Sequence, residues 1–418
     1  MSMTSRILTG LFLGALTGLL LAWLDPLLAD RAVAVARPVG RLWLNALQMT
    51  VVPLVLSLVI IGVSAANDAA ASGRTARRAI GAFALLLCAG SAFAAFFAPL
   101  ALSFVPRDPA LLELLRASLT NEAVTSLPVG LGDWFAAVIP GNAIAAAAQS
   151  AMLPLVVFAL FFGFALTRLE VKRRANLVEF FQSIADIMII IVRWVLWAAP
   201  LGVFALVLAV CAKAGVGVLS ALGWYVGLLC TMYIAVTVLL YPVAVVFGGQ
   251  NLRRFARGIL PAQVVAASTQ SSLASLPAMV ESARDRLGHP RAVAALVLPL
   301  AVSLFRITSP IQYIGAASFV AWIYGIDVPI AQIATAAALA VVISLGSVGL
   351  PGQVSFMATT MPVTSAMGLP LEPLGLLLAV DTIPDVFATV GNVSADLTSS
   401  AIVGKGHGDE AVTGKSSA

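Results

Sequence analysis

Charged residues are scarce in this sequence, and their scarcity excludes an ordinary water-soluble protein. Of the 418 residues, 10% are charged and 61% are hydrophobic, and the mean hydropathy is +1.02. A soluble domain of this length needs more charge to cover its surface. Apolar runs of about 18 residues or more recur along the chain, and each predicts a membrane span. The sequence therefore predicts an all-α polytopic membrane protein.

Cysteine and histidine are also nearly absent, which excludes the common metal and haem sites. Cys88, Cys211 and Cys230 lie inside apolar runs without CxxC spacing, as expected of small buried side chains. His289 falls in a charged loop and His407 near the chain end. Because no cluster of cysteines and histidines exists, nothing argues for zinc, haem or an iron–sulfur centre, and we expect no cofactor.

The formal net charge of +5 does not indicate a nucleic-acid partner. The basic residues lie in short loops at 74–78, 168–174 and 253–257, where the positive-inside rule places cytoplasmic Lys and Arg. The loop at 25–41 also carries arginines yet is expected to face outward. These assignments predict an integral protein of the cell (inner) membrane with both termini in the cytoplasm. The partners expected are the lipid bilayer and a small solute, not nucleic acid.

The apolar runs predict six spans before residue 250. The first is interpreted as a membrane helix rather than a signal peptide, because it is long and the Asp25-Pro26 pair after it is a poor cleavage site. The predicted spans are 7–24, 40–64, 79–104, 131–167, 178–212 and 217–248.

The last part of the chain contains two interrupted apolar segments. One lies between Arg257 and Glu281 and is broken at 268–272, and the other contains no charge between Asp327 and Glu372 and is broken at 344–352. A glycine-rich, uncharged break suits a re-entrant hairpin, whose bare backbone is tolerated against protein or a water-filled cavity. Two such segments, each followed by a span, predict a transporter's binding site. The alternative of simple kinks at glycine and proline stays open.

The last span carries four polar residues on one stripe. Taking Asp381 as zero, helical geometry places Asp385, Asn392 and Asp396 near about 40°, 20° and 60° in a helix predicted over 374–403. Carboxylates at such depth are costly unless they face a cavity or a partner. The stripe suits an ammonium group or a cation such as Na⁺, while carboxylates paired with basic residues for structure remain the alternative.

One embedded cation could be such a partner. Arg306 is the sole charged residue between Arg291 and Asp327, and the residues 308–310 after it, Thr-Ser-Pro, predict that the helix unwinds there. Arg306 could serve as a structural counter-ion for the aspartates or anchor a substrate carboxylate. Both interpretations stay open.

At these residues the sequence resembles the dicarboxylate/amino acid:cation symporter family, the group of glutamate and neutral amino acid transporters. The resemblance covers nearly the whole chain. The similar motifs are MTVVPL at 49–54, IPGN at 139–142, SSLASLP at 271–277, GLPG at 349–352 and NVSADLT at 392–398.

The resemblance implies a fold of eight transmembrane helices plus two re-entrant helical hairpins with inverted repeats. It also implies a homotrimer that works as an elevator. Residues 1–250 would form mainly the scaffold, with spans three and six associating with the transport domain. Residues 251–403 would form the transport core, and 404–418 a cytoplasmic tail.

The resemblance further implies roles for single residues. Asp385 matches the aspartate that binds a substrate ammonium, and Asn392 matches the asparagine that binds its carboxylate, alongside Ser271 and Ser272. Asp396, with Asn392, matches a cation site, so that either Na⁺ or H⁺ could be the coupling ion. The tip of the second hairpin, which would act as the extracellular gate and contact the substrate, contains Gly349, Pro351 and Gly352.

Several positions depart from the family pattern. Ala388 stands where acidic amino acid transporters have a substrate-clamping arginine, which leaves Arg306 as a replacement clamp or a substitute for the sodium ion. The sodium-binding Asn and Asp of the seventh span are Phe305 and Ile307. In the third span, Leu87 and Gly90 stand where the family has a sodium-binding Tyr and Thr, and Ser91 is retained.

The sequence therefore predicts a secondary active transporter, a symporter or exchanger, that moves a small amino acid by alternating access. A C4-dicarboxylate transporter of the same fold and a transport-inactive membrane sensor stay open as alternatives. An enzyme is not expected, because an intramembrane aspartyl protease needs carboxylates on separate helices. Arg306 is predicted to stand in for a sodium ion beside Asp396, so that transport depends weakly on sodium.

Overall fold

The computed structural model describes residues 3–71, 73–106, 109, 138–215, 217–346 and 352–413. Across those residues the regular structure is helical, without a β-strand. Seven helical segments of the described chain are long and apolar enough to cross a membrane. The prediction of an all-α polytopic membrane protein is confirmed.

The helices are numbered in chain order over the described residues. The first half contains α1 (Met3–Leu24), α2 (Pro26–Ala71), α3 (Arg74–Ser103), α4 (Ala143–Ala148), α5 (Met152–Leu166), α6 (Val171–Trp197), α7 (Ala199–Ala214) and α8 (Gly217–Val246). The second half contains α9 (Leu252–Thr269), α10 (Ser272–Glu281), a π-helical turn (Ser282–Leu287), α11 (Arg291–Leu304), α12 (Thr308–Tyr324), α13 (Ile330–Gly346), α14 (Gly352–Ala366), α15 (Pro373–Val380) and α16 (Thr382–Thr413).

The predicted loops at 25–41, 74–78 and 253–257 are wrong, because α3 begins at Arg74 and α9 at Leu252. In the first of them α2 already begins at Pro26. Asp25 caps this helix by accepting a hydrogen bond from the Leu27 N–H at 2.8 Å, and proline suits the first helical position. The arginines of this stretch are therefore carried on an extension of the helix. Hydropathy alone missed the extension because it detects apolar surface and not helix length.

Two other predicted spans are divided. The described part of 131–167 forms α4 and α5, separated by Ser150 in the left-handed conformation (φ 54°). The span predicted at 178–212 is broken at Ala198 into α6 and α7, with Pro200 in the first turn of α7. Proline lacks the N–H that would continue the earlier helix, which explains the second break.

Close packing joins α1 to α7 through three glycines four residues apart, which we call the glycine seam: Gly10, Gly14 and Gly18. A Cβ added at Gly14 would lie 2.6 Å from the Phe204 carbonyl oxygen, and one at Gly18 would lie 2.7 Å from that of Leu208. Small residues at this spacing allow two helix backbones to approach closely in a membrane.

The second half of the chain packs around α16. This helix contacts α8, α9 and α11, while α12 packs against α3 and α14. Residues 393–401 are buried throughout. The final helix is therefore enclosed by protein around Asp396, whereas Asp385, nearer its start, is half-buried.

The first interrupted segment breaks where the sequence predicts. Helix α9 ends at Thr269, Gln270 adopts the left-handed conformation (φ 51°), and Ser271 caps α10 by accepting from the Ala274 N–H at 3.2 Å. In the second segment α13 ends at Gly346 and α14 begins at Gly352. The predicted tip residues Gly349 and Pro351 lie outside the described residues.

Two sequence interpretations of the later spans require correction. The seventh span is unwound at 305–307, before the Thr-Ser-Pro triplet, and Pro310 lies in the first turn of α12. The last span is not one helix from 374 to 403, because it is broken at Asp381 between α15 and α16. Pro384, in the first turn of α16, has no N–H to offer the Val380 carbonyl, which explains this break.

Candidate functional site

The candidate site is built around α16. Asp385, Asn392 and Asp396 lie within about 40° of one another around this helix, and Asp381 lies at the break just before it. These four residues are called the α16 strip. Asp381, Asn392 and Asp396 are buried, and Asp385 is half-buried. The strip thus keeps three of its four polar groups inside the protein.

Asp381 is held by a residue of α12. The Gln312 side-chain amide donates to both carboxylate oxygens of Asp381 at 3.0 Å. The Tyr225 hydroxyl of α8 lies near this carboxylate, but it makes no hydrogen bond of acceptable geometry. The sequence analysis missed Gln312, although a lone amide in an apolar run is itself a signal of a buried polar partner.

Asn392 is oriented by the first turn of α12. Its side-chain carbonyl oxygen accepts from the Thr308 N–H at 3.1 Å and from the Thr308 hydroxyl at 3.0 Å. The Asn392 amide nitrogen has no hydrogen-bond partner among the described residues. Thr308 therefore positions the amide so that its N–H groups remain available to an oxygen of a ligand.

Asp385 offers a carboxylate without a hydrogen-bond partner or ion pair in the described part of the chain. Its backbone carbonyl accepts from the Thr389 hydroxyl at 2.9 Å. Arg306 and Asp381 both lie near enough to act on neighbouring strip carboxylates electrostatically. A half-buried carboxylate of this kind can receive an ammonium group.

Asp396 is the most isolated carboxylate of the strip. It is 1% exposed, and neither of its oxygens has a hydrogen-bond partner among the residues that the structure describes. The guanidinium of Arg306 lies within electrostatic range of Asp396, but it forms no ion pair within 4.0 Å with any described carboxylate. Because a buried charge without a partner is costly, this carboxylate requires a cation or a proton.

An apolar contact fills the α3 side of the break. The Phe83 ring of α3 stacks on Phe305 with centroids 4.9 Å apart. A Cβ at Gly90 would lie 3.1 Å from the Ile307 side chain, and Leu87 is fully buried. These five residues are called the apolar junction. They hold no side-chain oxygen, so the hard ligands that a sodium ion prefers would have to be backbone carbonyls, such as that of Ile307.

Ser91, next to the apolar junction, has another partner. Its hydroxyl donates to the Ala337 carbonyl of α13 at 2.7 Å. No group of three or more His, Cys, Asp or Glu side chains that could hold a metal occurs among the described residues. A cation beside Asp396 would therefore not be held by three or more such side chains of the described residues.

The tip of the first interrupted segment reaches the start of α16. The Gln270 side chain donates to the Thr382 carbonyl at 3.4 Å. Ser271 uses its hydroxyl as a helix cap, and Ser272 is buried in the first turn of α10. The structure thus brings this tip and the strip to neighbouring places.

Two further predicted residues have less specific environments. Ala388 is buried, and its carbonyl accepts weakly from the Thr308 hydroxyl at 3.4 Å. Gly352 begins α14. Since Ala388 has no polar side chain, a basic group between Asp385 and Asn392 has to come from another helix. Arg306, at the break and within electrostatic range of Asp385, is one candidate.

The far end of α16 contains a polar contact that the sequence analysis missed. His289, in the loop before α11, is buried, and its Nδ1 lies 3.0 Å from the Ser400 hydroxyl oxygen. Burial, and then the charge of Arg254, lower the pKa of His289 to about 4. The imidazole is therefore neutral near pH 7.

Comparisons with known proteins cover almost the whole chain. The model of a family described as "Sodium:dicarboxylate symporter family" matches residues 3–406. The proton/glutamate-aspartate symporter of Escherichia coli (strain K12) is 29% identical over 408 residues, which span 97% of this chain and 92% of that relative. The proton/sodium-glutamate symport protein of Geobacillus stearothermophilus is 28% identical, spanning 96% and 94%.

A mammalian relative is similarly distant. The neutral amino acid transporter B(0) of Oryctolagus cuniculus is 30% identical over 402 residues, which span 88% of this chain and 72% of the relative. The family match includes both the α16 strip and the apolar junction.

Proposed function

Because the chain belongs to the sodium:dicarboxylate symporter family, whose members are transporters rather than enzymes, we propose that it moves a small amino acid across the membrane by alternating access. Relatives named for glutamate, aspartate and neutral amino acids support an amino acid substrate. The observation that carries the proposal is the Asp385 carboxylate, half-buried and without a partner among the described residues. It would bind the substrate ammonium, while the Asn392 amide would bind the substrate carboxylate.

Uptake into proteoliposomes tests this function. The protein would be offered labelled neutral amino acids, acidic amino acids and C4-dicarboxylates one at a time. We expect saturable uptake of a small amino acid, and a neutral one in preference to an acidic one, because Ala388 supplies no charge to hold a second carboxylate. Binding without flux, detected by thermal shift, would instead identify a membrane sensor.

The unpartnered guanidinium of Arg306 favours one second candidate. Its Nε lacks a hydrogen-bond partner among the described residues, and a guanidinium can bind a carboxylate through two parallel hydrogen bonds. If Arg306 faces the substrate, a C4-dicarboxylate becomes the preferred solute. Uptake of succinate but not of alanine or serine would support this candidate over the first.

Arg306 also determines the proposed coupling. We propose that its charge takes the place of a sodium ion near Asp396, because the apolar junction offers no side-chain oxygen as a ligand on the other side of the break. Transport would then depend weakly on sodium and proceed as exchange or with H⁺ as the coupling ion. The proton/sodium-coupled relatives fit either ion.

Replacing sodium with choline at fixed pH and membrane potential tests this coupling. We expect wild-type uptake to change less than about twofold and Arg306→Met to become sodium-dependent. Arg291→Met, which removes an exposed charge at the start of α11, is the matched control. Steep, saturable sodium dependence of the wild type would contradict the substitution of Arg306 for the ion.

The family membership also supports a finer architecture. We propose eight transmembrane helices and two re-entrant hairpins in inverted repeats, with a scaffold mainly from 1–250, a transport core at 251–403 and a cytoplasmic tail at 404–418. A homotrimer with both termini in the cytoplasm would complete it. The mass of the detergent-solubilised complex tests the trimer, and labelling of terminal cysteines in sealed vesicles tests the orientation.

A further inference from the structure

A basic cavity lies at the start of α9, away from the α16 strip. It has a volume of about 420 Å³. Arginines predominate in its wall, and no acidic residue of the described chain contributes. The lining residues are Asn251, Arg253, Arg254, Arg257, Gly258 and Arg286.

Tight packing gathers these arginines. A Cβ at Gly258 would lie 2.5 Å from the Leu287 side chain, so α9 approaches the π-helical turn closely. The Arg254 Nε donates to the Arg286 carbonyl at 2.9 Å. Arg254 therefore helps to hold the two segments together, whereas the exposed guanidiniums of Arg253 and Arg257 keep their donors free of described partners.

The cavity carries positive charge that the described residues do not compensate. No carboxylate among them lies within 4.0 Å of any of its arginines. The Asn251 side-chain oxygen accepts from the backbone N–H groups of Arg253 and Arg254 at 3.0 and 3.2 Å, so it is already occupied. The cavity therefore suits an anion with several oxygen acceptors, such as a phosphate group.

A second, apolar cavity begins at the next residue of the chain. It has a volume of about 470 Å³ and lies between α8, the start of α9 and α16. Leu252 lines this cavity and Arg253 lines the basic one. Its other walls come from Ile234, Thr237, Val238, Tyr241, Pro242, Phe387 and Val390.

We propose that the two cavities together bind one anionic phospholipid. Its phosphate would lie among the arginines and part of an acyl chain would lie in the apolar cavity. Basic pockets between membrane helices are suited to phospholipid head groups, and the apolar volume falls in the range of small-ligand pockets. The acyl chain would contact Phe387 and Val390, which flank Ala388 on α16. Lipid occupancy would therefore act on the helix that carries the strip.

Lipid retention by the full-length protein tests the proposal without any transport measurement. Protein extracted in detergent would be exchanged into mixed micelles with phosphatidylglycerol or phosphatidylcholine, and bound lipid would be counted by native mass spectrometry. We expect Arg253→Gln/Arg257→Gln to retain phosphatidylglycerol at least tenfold less than the wild type. The control Arg168→Gln/Lys172→Gln removes the same charge from two exposed positions, one just before α6 and one in its first turn, and should retain lipid normally.

A second pair of variants tests the apolar half. Val238→Phe fills the apolar cavity, and Leu239→Phe makes a similar addition at a neighbouring exposed position that does not line it. We expect a severalfold loss of phosphatidylglycerol for Val238→Phe alone. Equal loss in both variants would overturn the assignment of the acyl chain.

Inorganic phosphate distinguishes a lipid from a soluble anion. We expect millimolar phosphate to leave bound phosphatidylglycerol unchanged, because phosphate lacks the acyl contact. Full displacement by phosphate, or equal retention of phosphatidylcholine and phosphatidylglycerol, would overturn the proposal. Arg253 and Arg257 are exposed, so the thermal unfolding of their variants in phosphatidylcholine should match the wild type.

Discussion

The two sides of the break at 305–307 differ sharply. On one side, the α16 strip keeps three carboxylates and an asparagine, two of them held by Gln312 and Thr308. On the other side, the apolar junction stacks Phe83 on Phe305 and buries Leu87. The difference shows that one half of an ion-binding region can become hydrophobic while the other half keeps its charge. The carboxylates that remain still require positive charge, and Arg306 is the cation placed at the break.

The strongest test of this comparison is at Asp385. Asp385→Asn should reduce amino acid uptake by about 1,000-fold, because losing an ion pair in a desolvated site costs about 4 kcal/mol. The variant should still unfold like the wild type. Asp327→Asn, an exposed carboxylate in the loop before α13, is the control and should transport normally. Undiminished uptake by Asp385→Asn would remove the amino acid proposal.

A carboxylate introduced into the apolar junction should destabilise the folded protein. Ile307→Asp should lower the free energy of unfolding by about 3 kcal/mol or more, because Ile307 is 2% exposed and contacts Gly90. Ile307→Val should cost only about 1 kcal/mol. Thermal unfolding in detergent measures both changes. If Ile307→Asp destabilised the protein no more than Ile307→Val, the junction would not be a closed apolar contact and the comparison would fail.

The contact at the far end of α16 predicts a pH dependence. Because burial lowers the pKa of His289 to about 4, the unfolded chain takes up this proton first as the pH falls below about 6.5. The contribution of His289 to stability is then lost between about pH 6.5 and pH 4, by up to about 3 kcal/mol. His289→Gln should flatten this part of the stability profile. The difference between the two profiles isolates His289 from the carboxylates, and parallel profiles would contradict the prediction.

The smallest expected effect is at Ser91. Ser91→Ala should cost about 1 kcal/mol, because it removes one hydrogen bond to the Ala337 carbonyl. Sodium should stabilise the wild type and this variant equally. If sodium stabilised the wild type and Ser91→Ala abolished that stabilisation, an ion would have to bind on the apolar side of the break.

The sequence predicted those features that depend on composition and local pattern. Long apolar runs revealed the membrane helices, and Ser271 with its neighbours marked the break before α10. The stripe of Asp385, Asn392 and Asp396 followed from helical periodicity. The break at Asp381 was missed, because Pro384 removes a hydrogen bond to the carbonyl four residues before it, and the helix is interrupted there and not at the proline itself.

Partners distant in sequence could not be predicted from one chain. Gln312 and Thr308 meet the strip only because α12 packs against α16, and neither residue forms a pattern with the strip along the sequence. The stacking of Phe83 on Phe305 is similar, since the two rings are brought together by the packing of α3. Periodicity describes one helix at a time, whereas these contacts depend on the arrangement of several.

The glycine seam has a mechanical consequence for α1 and α7. Each glycine lies opposite one carbonyl, and the larger residues between them cannot occupy those places. If α1 moved along α7, it would have to advance by four residues, about 6 Å, before the next glycine lay opposite the same α7 carbonyl. Intermediate positions would bring side chains against the backbone of α7. The α1–α7 contact therefore allows only discrete relative positions of the two helices. Any large movement in this protein should take place at a helix contact other than this one.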